Sequence, residues 1–385
     1  MASRLHALRT VIAPVLGLVL AACAGNERPP SYGHNGPDAS ISLFTDTPRV
    51  IDAIPLREVN TSCGGTAMSL TRRSATVLLV VDRSGSMADP TTEGTPKWQA
   101  LLAALNMVLP RVEANLRVGL VVFPAQIPSG TMTPTAMQVC YVAQDITVQP
   151  ALNNATRILT TLVAQPPVGA TPTHAGIAAA ERWFMTDPDR DGARYILLAT
   201  DGGPNCNLSS ALPCRCTSSN AALCTDSANM FARLNCLDEN PPVEAIGRLN
   251  QNGIPTYVLG LAGVESFTDV LNRMADAGGR ARMGATRYYN VSTSADLTRE
   301  FTTITSGLIE CRFRLNAPPP DPMLVDVRLD GRSLIHDVMR RDGWDWSDDS
   351  HTEILFYGDT CDDIRAATGG SQLVAAFGCP APVPP

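Results

Sequence analysis

The chain has 385 residues, 44% of them hydrophobic, which suffices for one large domain plus a small one and is too apolar for wholesale disorder. Lysine and arginine number 30 against 37 acidic residues, a net charge of −7, so the basic footprint needed to bind nucleic acid or an anionic lipid surface is missing. The 11 cysteines include no C-x-x-C pair, and Cys214-Arg215-Cys216 is too tight for a zinc knuckle, which argues against zinc ribbons and thioredoxin-type chemistry.

Taken in chain order, Arg4 and Arg9 precede an apolar stretch, Val11 to Ala22, too short to span a bilayer comfortably. Leu20-Ala21-Ala22-Cys23 ends it and resembles the bacterial lipobox. The resemblance implies a signal peptide over 1–22, a diacylglyceryl thioether on Cys23 and acylation of its amine. Several acyl chains together anchor stably where one does not. Ala24, in place of Asp, favours the outer membrane. Without Arg4 and Arg9, 28 basic residues face 37 acidic ones, a charge of −9. The cysteines beyond Cys23 are even in number and, in an exported chain, predict a disulfide framework. Residues 23–71 are expected to be the lipidated cysteine and a flexible tether, rich in Pro, Gly, Asn, Ser and Asp.

From 72 to 310 strand-like and helix-like segments alternate. Ala75 to Val81 is an unbroken, β-branched run that reads as a buried parallel strand. Trp98, Leu101, Leu102, Leu105, Val108 and Leu109 mark a helix from Lys97, ended by Pro110. Val118–Phe123 is a strand, Asp145–Val148 a short one. Leu152, Ala155, Ile158, Leu159, Leu162 and Val163 form a helical stripe. Thr171 opens a helix with Pro172 in its first turn. Then follow a strand from Arg194 to Ala199, a helix through Val243 stopped at Gly253, a strand Pro255–Leu261, a helix through Phe267 closed by Gly278-Gly279, a strand Tyr288–Val291, and a helix from Leu297 to Leu308. This alternation predicts a parallel sheet covered on both faces. Two insertions interrupt it, about 124–144 with Cys140, and 203–240 with Cys206, Cys214, Cys216, Cys224 and Cys236. The second has few large apolar residues, so disulfides are expected to hold it.

Beyond 310 the pattern changes to short strand-like runs at Arg312–Leu315, Leu324–Leu329, Ser333–Val338, Glu353–Tyr357 and Leu373–Phe377, with Asp330-Gly331 as a hairpin turn. Trp344-Asp345-Trp346 alternates as an edge strand would. Residues 311–385 are therefore expected to form a small β-rich domain with a Pro-rich tail. It holds Cys311, Cys361 and Cys379, an odd number, so one bridge to the larger domain is expected, through Cys311.

The chemistry concentrates at strand ends. Asp82-Arg83-Ser84-Gly85-Ser86 follows the first apolar strand, Thr171 lies in Gly169-Ala170-Thr171-Pro172-Thr173, and Asp201 ends Ile196-Leu197-Leu198-Ala199-Thr200-Asp201-Gly202. In open α/β sheets ligands bind at the carboxyl edge of the strands. The three pieces together resemble the complete metal-ion-dependent adhesion site of von Willebrand factor A domains. The resemblance covers nearly all of 72–310. It implies a doubly wound, mostly parallel sheet whose first and fourth strands are central neighbours, bringing Asp82 and Asp201 together. It also implies that Ser84, Ser86 and Thr171 serve as hydroxyl ligands and Asp82 and Asp201 as carboxylates, directly or through water. An all-oxygen set suits a hard divalent cation, magnesium first, with calcium and manganese as alternatives. Where hydroxyls and water fill most positions, the ion stays electrophilic and accepts an Asp or Glu carboxylate from a protein partner. The 203–240 insertion, starting just after Asp201-Gly202, should overhang this crevice, as a selectivity element or as a plain stapled loop.

Other motifs weigh less. Asp187 to Gly192 looks like half an EF-hand loop, but Leu198 holds the bidentate Glu position, so a polar connection is the better reading. His174 is read as an exposed helix residue. There is no G-x-S-x-G and no Walker A pattern, and no His or Glu base is placed beside the crevice, so no enzymatic activity is expected. The expected function is a lipid-anchored envelope protein that holds a protein ligand through a divalent cation. The alternative is a structural scaffold whose metal only braces the loops.

Overall fold

Two short strands, β1 (Ala67–Ser69) and β2 (Thr71–Arg72), begin the described chain. They correct the expectation that the tether reaches residue 71. Neither shows a sequence period, because each pairs with residues far downstream: Ala67 with Ala376, and Arg72 with Phe313. The computed structural model describes residues 67–384 apart from 127–134, 188, 190, 191, 226–230 and 367–370. The signal peptide, Cys23 and the tether up to 66 lie outside the described residues. Among the described residues no helix is long and apolar enough to cross a membrane.

The α/β domain follows, as β3 (Thr76–Asp82), α1 (Lys97–Val112), β4 (Arg117–Phe123), α2 (Ala136–Val139), β5 (Val148–Ala151), α3 (Ala155–Val163), α4 (Thr173–Thr186), β6 (Arg194–Thr200), α5 (Pro241–Gln251), β7 (Thr256–Leu261), α6 (Thr268–Ala277), β8 (Tyr289–Val291) and α7 (Ser294–Leu308). The strands lie in the order β5-β4-β3-β6-β7-β8. All neighbours are parallel except β5, which runs antiparallel to β4. The first and fourth strands, β3 and β6, are adjacent, with Val81 beside Ala199.

Alternate residues of β3 enter different cores, as the two-residue strand period requires. Val77, Leu79 and Val81 pack with Leu101 and Leu105 of α1 and Phe301 and Ile304 of α7. Leu78 and Val80 pack with Ile177 and Phe184 of α4 and Ile246 of α5. Burial on both faces explains why this strand reads as a continuous apolar run.

Two boundaries differ from expectation. Helix α1 runs through Pro110 to Val112. Proline there removes a bond to the carbonyl of Asn106, which is exposed and open to water, while the buried face carries Val108, Leu109 and Val112 onward. The short fifth strand is Val148–Ala151, three residues past the Asp145 start expected for it; its buried Val148 and Pro150 alternate with exposed Gln149 and Ala151.

The chain then builds a β module from β9 (Arg312–Arg314), β10 (Val325–Leu329), β11 (Arg332–Ser333), β12 (Gly343–Trp346), β13 (Glu353–Tyr357), α8 (Gly358–Ala366) and β14 (Leu373–Phe377). Its sheets are β1-β14-β10-β11 and β12-β13-β9-β2, so the α/β domain is inserted between two paired strands, β2 and β9. Asp330 and Gly331 have φ of 50° and 85°, as a tight hairpin turn between β10 and β11 demands. The expected strand 333–338 is only two residues long, since the chain then crosses towards the other sheet, where His336 bridges Trp344. Trp344 and Trp346 lie on an edge strand and are buried, with Asp345 between them less so.

Cys311 bonds to Cys361 of α8, with 5.6 Å between the α-carbons. This corrects the expected bridge from Cys311 to the larger domain. The backbone N–H of Phe356 donates to the Cys311 carbonyl at 2.9 Å, which carries Cys311 into the β module beside α8. Cys379 is also disulfide-bonded.

Candidate metal centre

The parallel pairing of β3 with β6 fixes the two acids. Asp82 is the last residue of β3 and fully buried; Thr200 ends β6 beside it, and Asp201 follows. The Thr200 hydroxyl donates to Asp82 Oδ2 at 2.6 Å, and the Ser84 N–H donates to Asp82 Oδ1 at 2.8 Å. The Ser84 and Ser86 hydroxyls are 3.1 Å apart, and Ser86 Oγ donates to Asp201 Oδ1 at 2.9 Å. A tight turn after β3 thus aims alternate side chains of the D-x-S-x-S stretch towards Asp201.

Thr171 arrives on a separate loop that is pinned to the first. Gly85 N–H donates to the Gly169 carbonyl at 3.0 Å, and Val168 N–H to the Arg83 carbonyl at 2.7 Å. Gly169 has a φ of +87°, and a β-carbon there would meet the Val139 carbonyl at 2.8 Å, so glycine is required. Asn205 clamps Thr171 from the other side: its Oδ1 accepts the Thr171 N–H at 2.8 Å, and its own N–H donates to the Thr171 carbonyl at 2.9 Å.

Ser84, Ser86, Thr171 and Asp201 line one cavity of about 640 Å³, with Asp82 beneath it. Thr217, Ser218, Ser219, Leu234 and Asn235 of the cysteine-rich insertion supply a wall. That insertion is stapled by Cys214–Cys236 and Cys216–Cys224, and Cys140–Cys206 ties it to the earlier insertion.

Sequence reasoning missed three residues here. Arg83 is buried, and its guanidinium donates to the carbonyls of Pro124 at 2.7 Å, Pro166 at 2.6 Å and Ala125 at 3.0 Å, holding two loop segments against its own. Lys97 Nζ donates to Asp201 Oδ2 at 2.8 Å with both side chains buried. Its signal was present: Lys97 is one helical turn before Leu101, on the buried face of α1. Asn205 gave no signal, because its role depends on two loops meeting.

Burial, and then the charge of Asp201, push the Asp82 carboxyl up to about 7, against hydrogen bonds from Thr200 and Ser84 that pull it down. Burial also raises Asp201, while Lys97 and Ser86 pull it down and Asp89 pushes it up. Two carboxylates held this close in a buried setting gain from a cation. Among the described residues no three His, Cys, Asp or Glu side chains gather as a metal cluster. The donors at this crevice are instead two carboxylates and three hydroxyls, a set that fits a hard divalent cation.

The weaker motifs resolve elsewhere. Asp189 pairs with Arg117 and its N–H donates to Asp187, so these acids are engaged by the chain itself; positions 188, 190 and 191 of the EF-hand-like stretch lie outside the described residues. His174 is exposed and lines a neighbouring cavity.

Residues 77–204 match the family model of the von Willebrand factor type A domain. The α/β domain has that fold. Solved structures similar to the chain include the PilB minor pilin of Streptococcus sanguinis (19% identity over 61% of each chain, TM-score 0.39). Others are the pilus adhesin SpaC of Lactobacillus rhamnosus GG (12% identity, 80% of this chain and 40% of that one, TM-score 0.44) and the vWF domain of the type V pili tip protein Mfa5 of Porphyromonas gingivalis (14% identity, 62% and 95%, TM-score 0.39). The chain spans 61% of the length of the first and 40% of the second. No curated protein matches it.

Proposed function

We propose that the crevice binds a divalent cation, magnesium first, and presents it to an Asp or Glu carboxylate of a protein partner. Ser84, Ser86 and Thr171 would hold it with hydroxyls, and Asp82 and Asp201 with carboxylates. The bound ion supplies an electrophilic centre for the partner's carboxylate. The chain's own residues do the rest. Arg83 ties the loops together, Asn205 fixes Thr171, and the stapled insertion shapes one wall. The observation that carries this reading is the gathering of four of the five expected side chains, from three separate loops, on one cavity with the fifth directly beneath.

Four disulfides support a folded chain in an oxidising compartment. With the resemblance of Leu20-Ala21-Ala22-Cys23 to a lipobox, this supports an exported protein anchored in the bacterial envelope, the outer membrane favoured, acting by binding and not by turnover.

The test has two parts. Calorimetric titration with magnesium and manganese should show one site in the wild type and none in Asp82→Ala, with circular dichroism unchanged. Envelope proteins retained on the immobilised chain in magnesium should be released by EDTA and should not be held by Asp201→Ala. Absence of metal uptake overturns the reading. Retention that survives EDTA while the melting temperature falls would instead establish the scaffold alternative.

A further inference from the structure

Lys97 sits where a lysine is doubly disfavoured. It is the first residue of α1, whose amino end is already positive, and its ammonium is buried. Asp201 offsets both costs, through the 2.8 Å contact to Oδ2. The surroundings are built around this contact. The Lys97 N–H donates to the Asp89 carbonyl at 3.0 Å. Gly263, at a φ of +108°, passes over the ammonium so closely that a β-carbon would stand 3.1 Å from Nζ and 3.4 Å from the Asp201 carbonyl. An amphipathic helix needs none of this.

The charges of the crevice give the arrangement a purpose. Among the described lining residues Asp89, Lys97 and Asp201 are charged, and Asp82 lies beneath them. Leaving aside Arg83, whose guanidinium is turned to the carbonyls of Pro124, Ala125 and Pro166, these three carboxylates against one ammonium leave −2, the charge that a divalent cation neutralises. Both oxygens of Asp201 are already engaged, Oδ1 by Ser86 and Oδ2 by Lys97. An incoming cation must share this carboxylate with the ammonium.

We propose that Lys97 is a built-in counter-cation that sets how tightly the crevice holds its metal. The inference rests on the metal reading of the site and names a positioning residue for it. Lys97 weakens the hold of Asp201 on the metal and keeps the loaded crevice neutral, so that a partner's carboxylate meets no excess negative charge. Without it the loaded crevice would carry −1 and bind metal more tightly.

The test titrates manganese into the full chain and counts free ion by electron paramagnetic resonance, for the wild type, Lys97→Met and Lys97→Gln. Both variants should bind manganese about tenfold more tightly at physiological salt, and manganese should raise their melting temperatures more than that of the wild type. Equal or weaker binding by the folded variants overturns the role of Lys97 and leaves the metal reading standing. Binding by the variants but not by the wild type keeps Lys97 as the counter-cation and overturns metal use by the native crevice. Binding by none overturns both. Variants that fold only with manganese present support the assignment; variants that fail to fold even then overturn it.

Discussion

Glu353 of the β module and the acid pair of the α/β crevice are buried acids treated in opposite ways. In the β module Glu353 accepts from Ser347 and Arg312 and pairs with Arg73. Burial alone would raise its carboxyl, but these partners outweigh burial and hold it below the usual range. In the crevice of the α/β domain, Asp82 and Asp201 are surrounded chiefly by neutral hydroxyls and N–H groups, and both are raised. Glu353 is engaged by the chain itself and serves the fold. The pair in the crevice is under-compensated, with Lys97 the single ammonium set against it among the described lining residues. Under the proposed function, incomplete compensation is what leaves affinity available for an external cation.

Several experiments would break or sharpen this contrast. After the loss of the site expected for Asp82→Ala, the largest effect is expected from Asp201→Ala, which should lower manganese affinity on the order of 100-fold by calorimetry; Glu353→Ala should leave it unchanged. Magnesium at a hundred times its dissociation constant should stabilise the wild type by about 2.7 kcal/mol in denaturant unfolding, and EDTA should reverse this. Glu353→Ala should cost about 2 kcal/mol, since it removes an acid paired with both Arg312 and Arg73, with the loss discounted for the partial exposure of both arginines.

The smallest effect concerns pH. A carboxyl raised in the folded state contributes stability below its unfolded value and loses it as pH rises through its folded one. Metal-free protein should therefore lose the Asp82 contribution between the ordinary carboxylate range and about pH 7. Melting temperatures from pH 4 to 8 should show this slope. Asp82→Asn or saturating magnesium should flatten it, and a slope unchanged by either would show that the crevice acids are compensated after all.

How legible each part was in the sequence follows from the same physics. Strands buried on both faces, such as β3 and β6, give continuous apolar runs, and the α1 and α7 stripes give a clear helical period. The acids were legible because strand ends place them. Short strands that pair across hundreds of residues, β1 and β2, carry no local period. Helix α8 buries Thr360, Cys361 and Ile364, too few apolar groups to form a stripe. Lys97 was read as a helix start, because its partner, Asp201, is 104 residues away. The pairing of Cys311 with Cys361 depends on how β9 and α8 pack, which cysteine counting does not contain.

The insertion of the α/β domain between β2 and β9 has a mechanical consequence. The path from residue 67 to β3 is a single short stretch of backbone along the β module, with β1 and β2 each an outer strand of one of its sheets and Met68 and Leu70 packed against its core. Tension applied between the amino-terminal side and a ligand in the crevice would run along that stretch. It would meet the pairings of β1 with β14 and β2 with β9 before it reached the central sheet. These strands, three and two residues long, are thus the first paired elements on that path.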